Sequence, residues 1–281
     1  MPPISIYVLT YNTPSQFRLW CESFSSAQLN AFSILPKYVI NNSDDPAVRQ
    51  EYDSLFAEFD FKVISSGQNL GINGGRYRAA THFQESGQNY MIFFEDDMLL
   101  RNSLSAVCRA GFKTYHATLF EDAVNILEQE SLSFMKLCFS EVYNTNHENI
   151  ALQSLYEPDR QEIMKADPRE FFLASNVCVD YTDICNGLSY GVGAYAYCNW
   201  PILFTQQANQ LIFMDNQLES KFEMAYTRLA YLLTLMGKLR VGCLFASPIK
   251  HWRQYSYNPA DRIENEQGLR IPGVQICLDT N

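Results

Sequence analysis

The sequence predicts an α/β fold in which a mostly parallel sheet is flanked by helices. Short β-branched and apolar runs recur along the first hundred residues, and each is followed by a loop of Asn, Asp, Ser or Gly. The 281 residues are 47% apolar and 14% aromatic, which is enough to fill a sizeable core. Sheets of this kind bind ligands at the carboxyl ends of their strands. We therefore expect the polar loops after the strands to form the binding edge.

Four strand patterns precede residue 100. ISIYVLT (4–10) ends at the turn-rich YNTPS and leads into a helix near 15–25, and SILPKYVI (33–40) ends at NNSDDP. FKVISS (61–66) ends at GQNLGINGG, and YMIFF (90–94) runs into three consecutive acidic residues. Each strand thus delivers a polar loop to the same predicted edge.

The second half contains fewer regular patterns. Helical patterns near 103–131 precede the strand SFMKLCFSE, and a long apolar-periodic helix over 216–236 ends at Gly237. The strand LRVGCLFA and the segment SPIKHW follow that helix. The residues after 256 are predicted to form a flexible tail or lid.

Charge and cysteine content restrict the function classes. The net charge of −10 argues against broad binding to nucleic acid or to an anionic membrane, because phosphate contacts need clustered Lys and Arg. The eight cysteines are scattered without a CxxC pair, which indicates buried thiols of a reducing compartment. The apolar runs are too short to span a bilayer, and a secretory signal pattern is missing, so a cytoplasmic protein is expected.

The acidic residues Glu95, Asp96 and Asp97 follow the fourth strand. Glu95 and Asp97 are one residue apart, so on an extended backbone they point the same way and suit a hard cation such as Mg²⁺ or Mn²⁺. Such a cation can bridge the two phosphates of a nucleotide diphosphate. The alternative is a solvated turn or a helix N-cap.

The segment NLGINGGRYRAA (69–80) lies about twenty residues upstream. Its glycines allow close backbone approach, and the helix that follows would aim N-terminal amides at an anion, with Arg76 or Arg78 adding charge. The alternative is an ordinary Gly-rich turn. An anion site here would complement a cation site at the acidic residues.

The motifs VLTYNTP, INNSDD, NLGINGG followed by GQNYMIFFEDDM, and GKLRVGCLFASPIKHW resemble, in this order, those of GT-A-type nucleotide-sugar glycosyltransferases. They are most similar to the inverting group that includes rhamnosyl and galactofuranosyl transferases. The match covers residues 4–100 well and 210–252 more loosely, whereas 101–190 match no motif of the family. The resemblance implies a GT-A (Rossmann-like) sheet with an acceptor-binding C-terminal half.

The resemblance also divides the chain by role. Residues 1–100 would form the nucleotide-sugar-binding half, 101–256 the acceptor-binding and catalytic half of the same domain, and 257–281 the tail or lid. The residues it assigns to the nucleotide sugar are Thr10, Tyr11, Asn12, Asn41, Asn69, Gly74, Gly75, Arg78, Glu95 and Asp96. Asn41 stands where the family usually has an Asp that contacts the base or ribose, so the identity of the base stays open.

The resemblance assigns a metal site to Asp97 and His251, with Mn²⁺ or Mg²⁺ as the ion. Glu95 replaces the first Asp of the family's DxD element, as in the EDD form of some N-acetylglucosaminyltransferases. A lone His is more often structural than a ligand, and one backbone carbonyl can satisfy it. Trp252, Arg253 and the tyrosines after them could fold over the donor or could be packing residues.

Inverting transfer needs a carboxylate that takes a proton from the acceptor hydroxyl. FMDNQLES offers Asp215 and Glu219, which lie one helical turn apart and resemble the family's acidic motif. The alternative makes Asp215 the N-cap of the long helix and Glu219 a solvated side chain. Three other carboxylates are rival bases: Glu141, Asp180 and Asp183.

The segment YGVGAYAYCNWP (190–201) is a candidate acceptor loop, because glycines admit a substrate and aromatic faces stack on sugars. An ordinary β-hairpin with packed aromatic side chains is the alternative. The residues in question are Gly191, Gly193, Tyr195, Tyr197 and Trp200.

The expected function is therefore metal-dependent transfer of a sugar from a nucleotide diphosphate sugar to an acceptor hydroxyl, with inversion. The acceptor is expected to be a glycan. A hydroxymethylated nucleobase of viral DNA stays open, although the acidic charge disfavours nucleic acid. The alternatives are a sugar nucleotidyltransferase and a nucleotide-sugar-binding protein without turnover.

Overall fold

A computed structural model describes residues 3–26, 30–100, 117–137, 177–195, 197, 201–216, 222–244 and 248–251. Its strands are β1 Ile4–Thr10, β2 Lys37–Asn41, β3 Lys62–Ser65, β4 Tyr90–Glu95, β5 Met98–Leu100, β6 Phe134–Lys136, β7 Val177–Cys185, β8 Leu188–Tyr195, β9 Ile202–Thr205, β10 Val241–Leu244 and β11 Ile249–His251. Its helices are α1 Pro14–Ser26, α2 Asn30–Ile34, α3 Pro46–Glu58, α4 Gly71–Glu85, α5 Leu119–Gln129, α6 Gln206–Asn209 and α7 Phe222–Leu235, with a π-helical turn at Gln210–Met214.

The described strands form one large sheet with the order β3-β2-β1-β4-β9-β6-β10-β8-β7, and β5 pairs separately with β11. Strands β8 and β9 run antiparallel to their neighbours, while β1 to β4 are mutually parallel and β6 is parallel to β10. The α/β prediction is confirmed: the sheet is mostly parallel, mixed, and flanked by helices.

Alternating side chains of β1 explain why both faces of the sheet are covered. Ile4, Ile6 and Val8 pack with α1 and α3 in one core cluster. Tyr7 and Leu9 pack with α4 in a second cluster on the opposite face. A strand buried on both faces must be mostly apolar, which is why ISIYVLT lacks charged residues.

In the order β3-β2-β1-β4, successive strands are added first on one side of β1 and then on the other. The chain moves outward from β1 to β2 and β3, and α4 then carries it back to β4 on the other side of β1. Ligands of open α/β sheets bind at such a switch point, outside the carboxyl ends of the strands. The fold therefore places a candidate crevice at the ends of β1 and β4.

Some predicted elements differ from the observed ones. Gly191 and Gly193 lie inside β8, which pairs with both β7 and β10, so this stretch is a strand of a hairpin and not a loop. Asn186 and Gly187 form the turn of that hairpin, with φ of 49° and 86°. The predicted long helix begins at Phe222, although its end before Gly237 is as expected.

Several expectations lie outside the described residues. These are the tail at 257–281, most of the segment 101–190, and five individual residues or groups: Glu141, Trp200, Glu219, Trp252 with Arg253, and the tyrosines that follow them. Within the described segments, no helix combines the length and the apolar character that crossing a membrane requires.

Candidate functional site

The carboxyl ends of β2, β1 and β4 lie side by side and present the polar residues that the sequence analysis selected. Asn41 pairs with Thr10 across β2 and β1, and Leu9 pairs with Glu95 across β1 and β4. Neighbouring strands are about 4.8 Å apart, so the backbones of Asn41 and Glu95 are separated by roughly 10 Å. We call this row of strand ends the binding edge.

Asn41 and Thr10 form the β2 side of the binding edge. Both are buried, and the Thr10 hydroxyl lies 3.5 Å from Asn41 Oδ1. The backbone N–H of Ser43 donates to the same Oδ1 at 3.0 Å, and Ser43 Oγ accepts from the Asn12 N–H at 2.9 Å. Asn12 has a φ of 51°, a left-handed conformation that Asn tolerates better than most residues. The loops after β1 and β2 are thus tied together.

Asn42 attaches the start of α4 to this edge. Its Nδ2 donates to Gly71 O at 3.0 Å, and its Oδ1 accepts from the Leu70 N–H at 3.2 Å. A Cβ on Gly75 would lie 2.5 Å from Leu9 Cδ1, so the glycine allows α4 to pack closely on β1. The role of Gly75 beside phosphates stays a prediction, and close packing on Leu9 alone explains why this position is Gly.

The other phosphate-loop residues lie on the same helix start. Asn69 Oδ1 accepts from the Gly71 N–H at 2.8 Å, and Gly71 has a φ of +67° that favours glycine. A Cβ on Gly74 would lie 2.8 Å from Leu70 Cβ, within its own helix start. This geometry shapes the entrance to α4, which follows β3 and so begins at the binding edge.

The acidic residues form the β4 side. Glu95 ends β4, and Asp96 and Asp97 make the turn into β5. The structure leaves Glu95 and Asp97 half-buried but buries Asp96, which is 3% exposed. Burial, with the negative charges of Asp97 and Glu95 beside it, raises the pKa of Asp96 well above the usual range. Glu95 and Asp97 are therefore the less buried pair, although Oδ1 of Asp97 is itself buried.

Asp96 differs from its expected role as a nucleotide-sugar ligand. Its Oδ2 lies 3.5 Å from the hydroxyl of Tyr52 on α3, and its carbonyl accepts from Gln16 Nε2 at 3.3 Å. The Tyr52 hydroxyl also accepts from the Thr13 N–H at 3.1 Å. Asp96 is thus turned into the protein, where it fixes the acidic turn against α1 and α3.

The pairing of β11 with β5 places the backbone of His251 beside the residue that follows the acidic turn. His251 pairs with Met98, the residue directly after Asp97. Among the residues that the structure describes, no three His, Cys, Asp or Glu side chains form a metal-binding group. The oxygen ligands of Glu95 and Asp97 suit Mg²⁺ or Mn²⁺, which often take one or two carboxylates from the protein and further oxygens from phosphates.

Arg76, and not Arg78, is the arginine buried beneath the binding edge. Its guanidinium lies 4.0, 4.7 and 4.9 Å from the ring centroids of Phe93, Phe213 and Phe204, and its Nε donates to the Tyr197 hydroxyl at 3.3 Å. Burial lowers its pKa, whereas Tyr197 and Glu95 favour its charged form. Arg78 is exposed and donates to the Ile64 carbonyl of β3 at 3.3 Å, and its place beside phosphates stays a prediction.

The segment that ends at Asp215 runs along α4 in the direction of the binding edge. The chain from α6 to the π-helical turn runs back along α4: Gln206 bonds to Phe83 O, Asn209 bonds to Ala80 O, and the Phe213 ring contacts Arg76. Asp215 follows this turn and is exposed, with its Oδ1 accepting from Gln210 Nε2 at 2.6 Å. It is not the N-cap of α7, which begins at Phe222.

Two rival bases and one candidate acceptor residue lie elsewhere. Asp180 and Asp183 are exposed on β7, five strand spacings from β4, or roughly 24 Å. That distance argues against either one acting at the binding edge. Tyr197 is buried against Phe204, Phe213 and Tyr226, so its ring is a core element and not a sugar platform.

The sequence did not reveal the buried polar residues whose hydrogen bonds hold the loops of the binding edge in place. Gln16, Asn42, Ser43 and Tyr52 are buried and make the bonds described above. The polar pairing of these residues depends on contacts between distant segments, which no local pattern reveals. The sequence left the choice between Arg76 and Arg78 open, although Arg76 shares the helical spacing of the buried α4 residues Ala79, Ala80 and Phe83.

Comparisons with known proteins identify the fold. No protein-family model matches the sequence. No curated protein matches it either. The structure is similar to residues 1–349 of TarS from Staphylococcus aureus in complex with UDP-GlcNAc, with a TM-score of 0.51, 14% identity, and coverage of 94% of this chain and 64% of that one.

Two further solved structures have lower TM-scores. Glucosyl-3-phosphoglycerate synthase from Mycobacterium tuberculosis, in complex with Mn²⁺ and UDP, gives a TM-score of 0.44 with 11% identity over 97% of this chain and 82% of that one. A longer TarS structure gives 0.47 with 12% identity over 89% of this chain. The chain spans 36% of that longer protein and less than two thirds of the TarS fragment. Together with the sheet order, the TarS likeness assigns the GT-A fold.

Proposed function

We propose that this protein is a metal-dependent glycosyltransferase that moves a sugar from a nucleotide diphosphate sugar to an acceptor hydroxyl. The observation that carries the proposal is the row of strand ends, with buried polar side chains on β2 and β1 and two half-buried carboxylates, Glu95 and Asp97, at the end of β4. The likeness to TarS supports the fold, and its UDP-GlcNAc ligand indicates where to test for a donor.

The donor nucleotide would lie across the binding edge. Its nucleoside would contact Thr10, Asn12 and Asn41, and its diphosphate would reach Glu95 and Asp97, roughly 10 Å away across two strand spacings. Tyr11 and the start of α4, including Asn69 and Gly74, would line the same crevice. This arrangement matches the extended shape of a nucleoside diphosphate, with base and phosphates at opposite ends.

Glu95 and Asp97 would hold Mn²⁺ or Mg²⁺ together with oxygens of the diphosphate. When bound, the cation neutralises charge that develops as the diphosphate leaves. Asp97 is the proposed ligand, and His251 is a further proposed one because β11 places its backbone beside the acidic turn. The buried Arg76 would add a fixed positive charge below the end of β4 that needs no reorganisation during reaction.

The proposed base is Asp215. Asp215 is exposed and follows a segment that runs along α4 toward the binding edge, and it would accept the proton of an acceptor hydroxyl as the new bond forms. Transfer would then occur with inversion, since the hydroxyl attacks from the side opposite the leaving diphosphate. We propose a glycan as the acceptor.

The experiment is to incubate the pure protein with Mn²⁺ and a panel of nucleotide sugars, and to measure released nucleoside diphosphate and the anomeric configuration of the product. Slow release without added acceptor, accelerated by a suitable glycan, is the expected result. Binding of a nucleotide sugar without any release favours a non-catalytic binder. Formation of nucleotide sugar and pyrophosphate from a nucleoside triphosphate and a sugar phosphate identifies a nucleotidyltransferase instead.

A further inference from the structure

Arg76 is a buried cation that is surrounded mainly by aromatic rings. Its side chain is 1% exposed, and its guanidinium lies 4.0 to 4.9 Å from the ring centroids of Phe93, Phe204 and Phe213. Its Nε donates to the Tyr197 hydroxyl at 3.3 Å, whereas its Nη1 has no hydrogen-bond partner within the described part of the chain. An arginine keeps its proton in a protein, so a full positive charge stays at this point.

The charge of Arg76 lies on the face of β4 that carries the Glu95 side chain. Phe93 belongs to the core cluster on the α4 side of the sheet, and Phe94 belongs to the cluster on the opposite side. Because successive strand residues alternate between faces, Glu95 points to the same side as Phe93, two residues or about 7 Å further along. Burial lowers the pKa of Arg76, and the negative charge of Glu95 is among the influences that raise this pKa. The guanidinium and the Glu95 carboxylate therefore interact electrostatically.

A fixed positive charge at this point acts in opposite ways on the two components of a metal–diphosphate complex. It repels a divalent cation at the acidic turn and attracts the diphosphate. Over about 10 Å, with the effective dielectric constant of about 20 that suits protein sites, a unit charge changes the affinity for a divalent ion more than tenfold. The effect is transmitted by the electric field, so the buried guanidinium does not need to touch either component.

We propose that Arg76 controls which component the binding edge accepts alone. Its charge weakens the binding of a divalent cation by itself and strengthens the binding of a nucleoside diphosphate. The two therefore bind together, because their charges largely cancel and their complex is the least affected by Arg76. This inference rests on the proposed function, in which Glu95 and Asp97 hold the cation beside the diphosphate.

Two substitutions of Arg76 separate its charge from its shape. Arg76→Met removes the charge but keeps an apolar chain among the rings, whereas Arg76→Lys keeps the charge and loses the planar group. The control is Lys62→Met, which removes the same formal charge from an exposed position. Lys62 is the first residue of β3, at the opposite end of the sheet and three strand spacings from β4, or roughly 14 Å.

The test measures three affinities of the full chain. UDP, CDP, GDP and ADP are first titrated with Mn²⁺, and the nucleotide that binds the wild type most tightly is kept. Mn²⁺ alone is then titrated with electron paramagnetic resonance of the free ion, and the nucleotide is titrated by calorimetry with a chelator and with Mn²⁺. Arg76→Met should bind Mn²⁺ alone at least about tenfold more tightly, and the metal-free nucleotide at least about tenfold more weakly. The affinity for the nucleotide with Mn²⁺ should change less than either.

Arg76→Lys and Lys62→Met should stay within about threefold of the wild type in all three affinities. Partial unfolding weakens both ligands, so shifts in opposite directions cannot arise from it. Shifts of Arg76→Met in the same direction, or none, overturn the inference. Equal behaviour of Arg76→Lys and Arg76→Met also overturns it, because the effect would then come from shape.

If Arg76→Met does not fold, Arg76→Gln takes its place with the same expected shifts, since its amide can bind the Tyr197 hydroxyl. A wild-type protein that binds neither Mn²⁺ nor any nucleoside diphosphate removes the proposed function together with this inference. If the wild type binds a nucleoside diphosphate with Mn²⁺ and only the opposite shifts are missing, the inference alone falls.

Discussion

Polar side chains at the two ends of the central sheet differ in how fully they are hydrogen-bonded. At the amino end Glu130 accepts hydrogen bonds from Tyr181, from Tyr190 at 2.7 Å and from Arg240 at 3.3 Å, and these bonds lower its pKa. At the binding edge burial raises the pKa of Asp96, and the Asn41 amide has an unused donor.

The difference separates stability from function within one sheet. A satisfied polar network fixes a structure, whereas a buried group without a partner is unfavourable unless a ligand completes it. Substitutions at the amino end should therefore reduce stability and preserve activity. Substitutions of exposed groups at the binding edge should do the reverse.

Asp97→Asn should have the largest effect. Loss of the anionic ligand should reduce turnover by about a thousandfold or more, because the developing charge of the diphosphate is no longer neutralised. The melting temperature should stay within about 2 °C, since the side chain is half-buried at a turn. Turnover is measured as nucleoside diphosphate release. Asp53→Asn, an exposed change on α3, is the control, and equal activity of the two variants would remove the metal assignment.

Asp215→Asn should lower turnover by roughly 100- to 10,000-fold, the usual contribution of a general base. The affinity for the nucleoside diphosphate should not change, because the proposed contact is with the acceptor. The measurement is the separate determination of kcat and of nucleotide binding. A variant with normal kcat would show that another group takes the proton, and the carboxylates outside the described residues would then be the candidates.

Gly75→Ala tests the packing that brings α4 to the binding edge. The new Cβ would lie 2.5 Å from Leu9 Cδ1, so we expect a loss of about 1–3 kcal/mol in the free energy of unfolding. Denaturant titration measures it. Ile72→Ala on the same helix is the control, because Ile72 is 50% exposed and its truncation introduces no clash. Equal stability of Gly75→Ala and the wild type would mean that the helix start can shift freely.

Glu130→Gln at the amino end should have the smallest effect, about 1–2 kcal/mol of stability at neutral pH with unchanged activity. The pKa of Glu130 is lowered in the folded state, so its contribution is present above the ordinary Glu pKa and is lost as the pH falls through the lowered value. The variant should thus show a flatter loss of stability between about pH 5 and pH 3. An unchanged acid dependence would indicate that Glu130 is not stabilised by its partners.

The first half of the fold could be predicted because its strands are buried on both faces. A run such as ISIYVLT is mostly apolar, lacks charged residues and is followed by a polar turn, so both its type and its end are visible in the sequence. The later strands are short and partly antiparallel, and β8 contains two glycines. Such strands depend on pairing with distant partners, which is why Gly191 and Gly193 resembled a loop.

The candidate site was predictable in its location but not in the direction of its side chains. The placement of polar residues at strand ends follows from the chain pattern, and Thr10, Asn41, Glu95 and Asp97 occupy that edge. Asp96 faces inward because Tyr52 on α3 and Gln16 on α1 bind it there.

Asp215 is a second case in which local pattern and tertiary structure disagree. The apolar periodicity around it continues into the long helix, which favoured an N-cap. The structure has a π-helical turn before Asp215, and the bonds of Gln206 and Asn209 to the backbone of α4 hold the preceding segment in place. These long-range bonds leave no periodic trace in the sequence.

The central claim is that a divalent cation is held between the acidic turn and the diphosphate of a donor. The most direct measurement is the affinity of UDP, CDP, GDP and ADP with and without Mn²⁺, in the wild type and in Asp97→Asn. The account predicts that Mn²⁺ strengthens binding of the preferred nucleotide at least about tenfold in the wild type and has little effect in the variant. The same affinity with and without Mn²⁺ in the wild type, or an equal Mn²⁺ effect in both proteins, would contradict it.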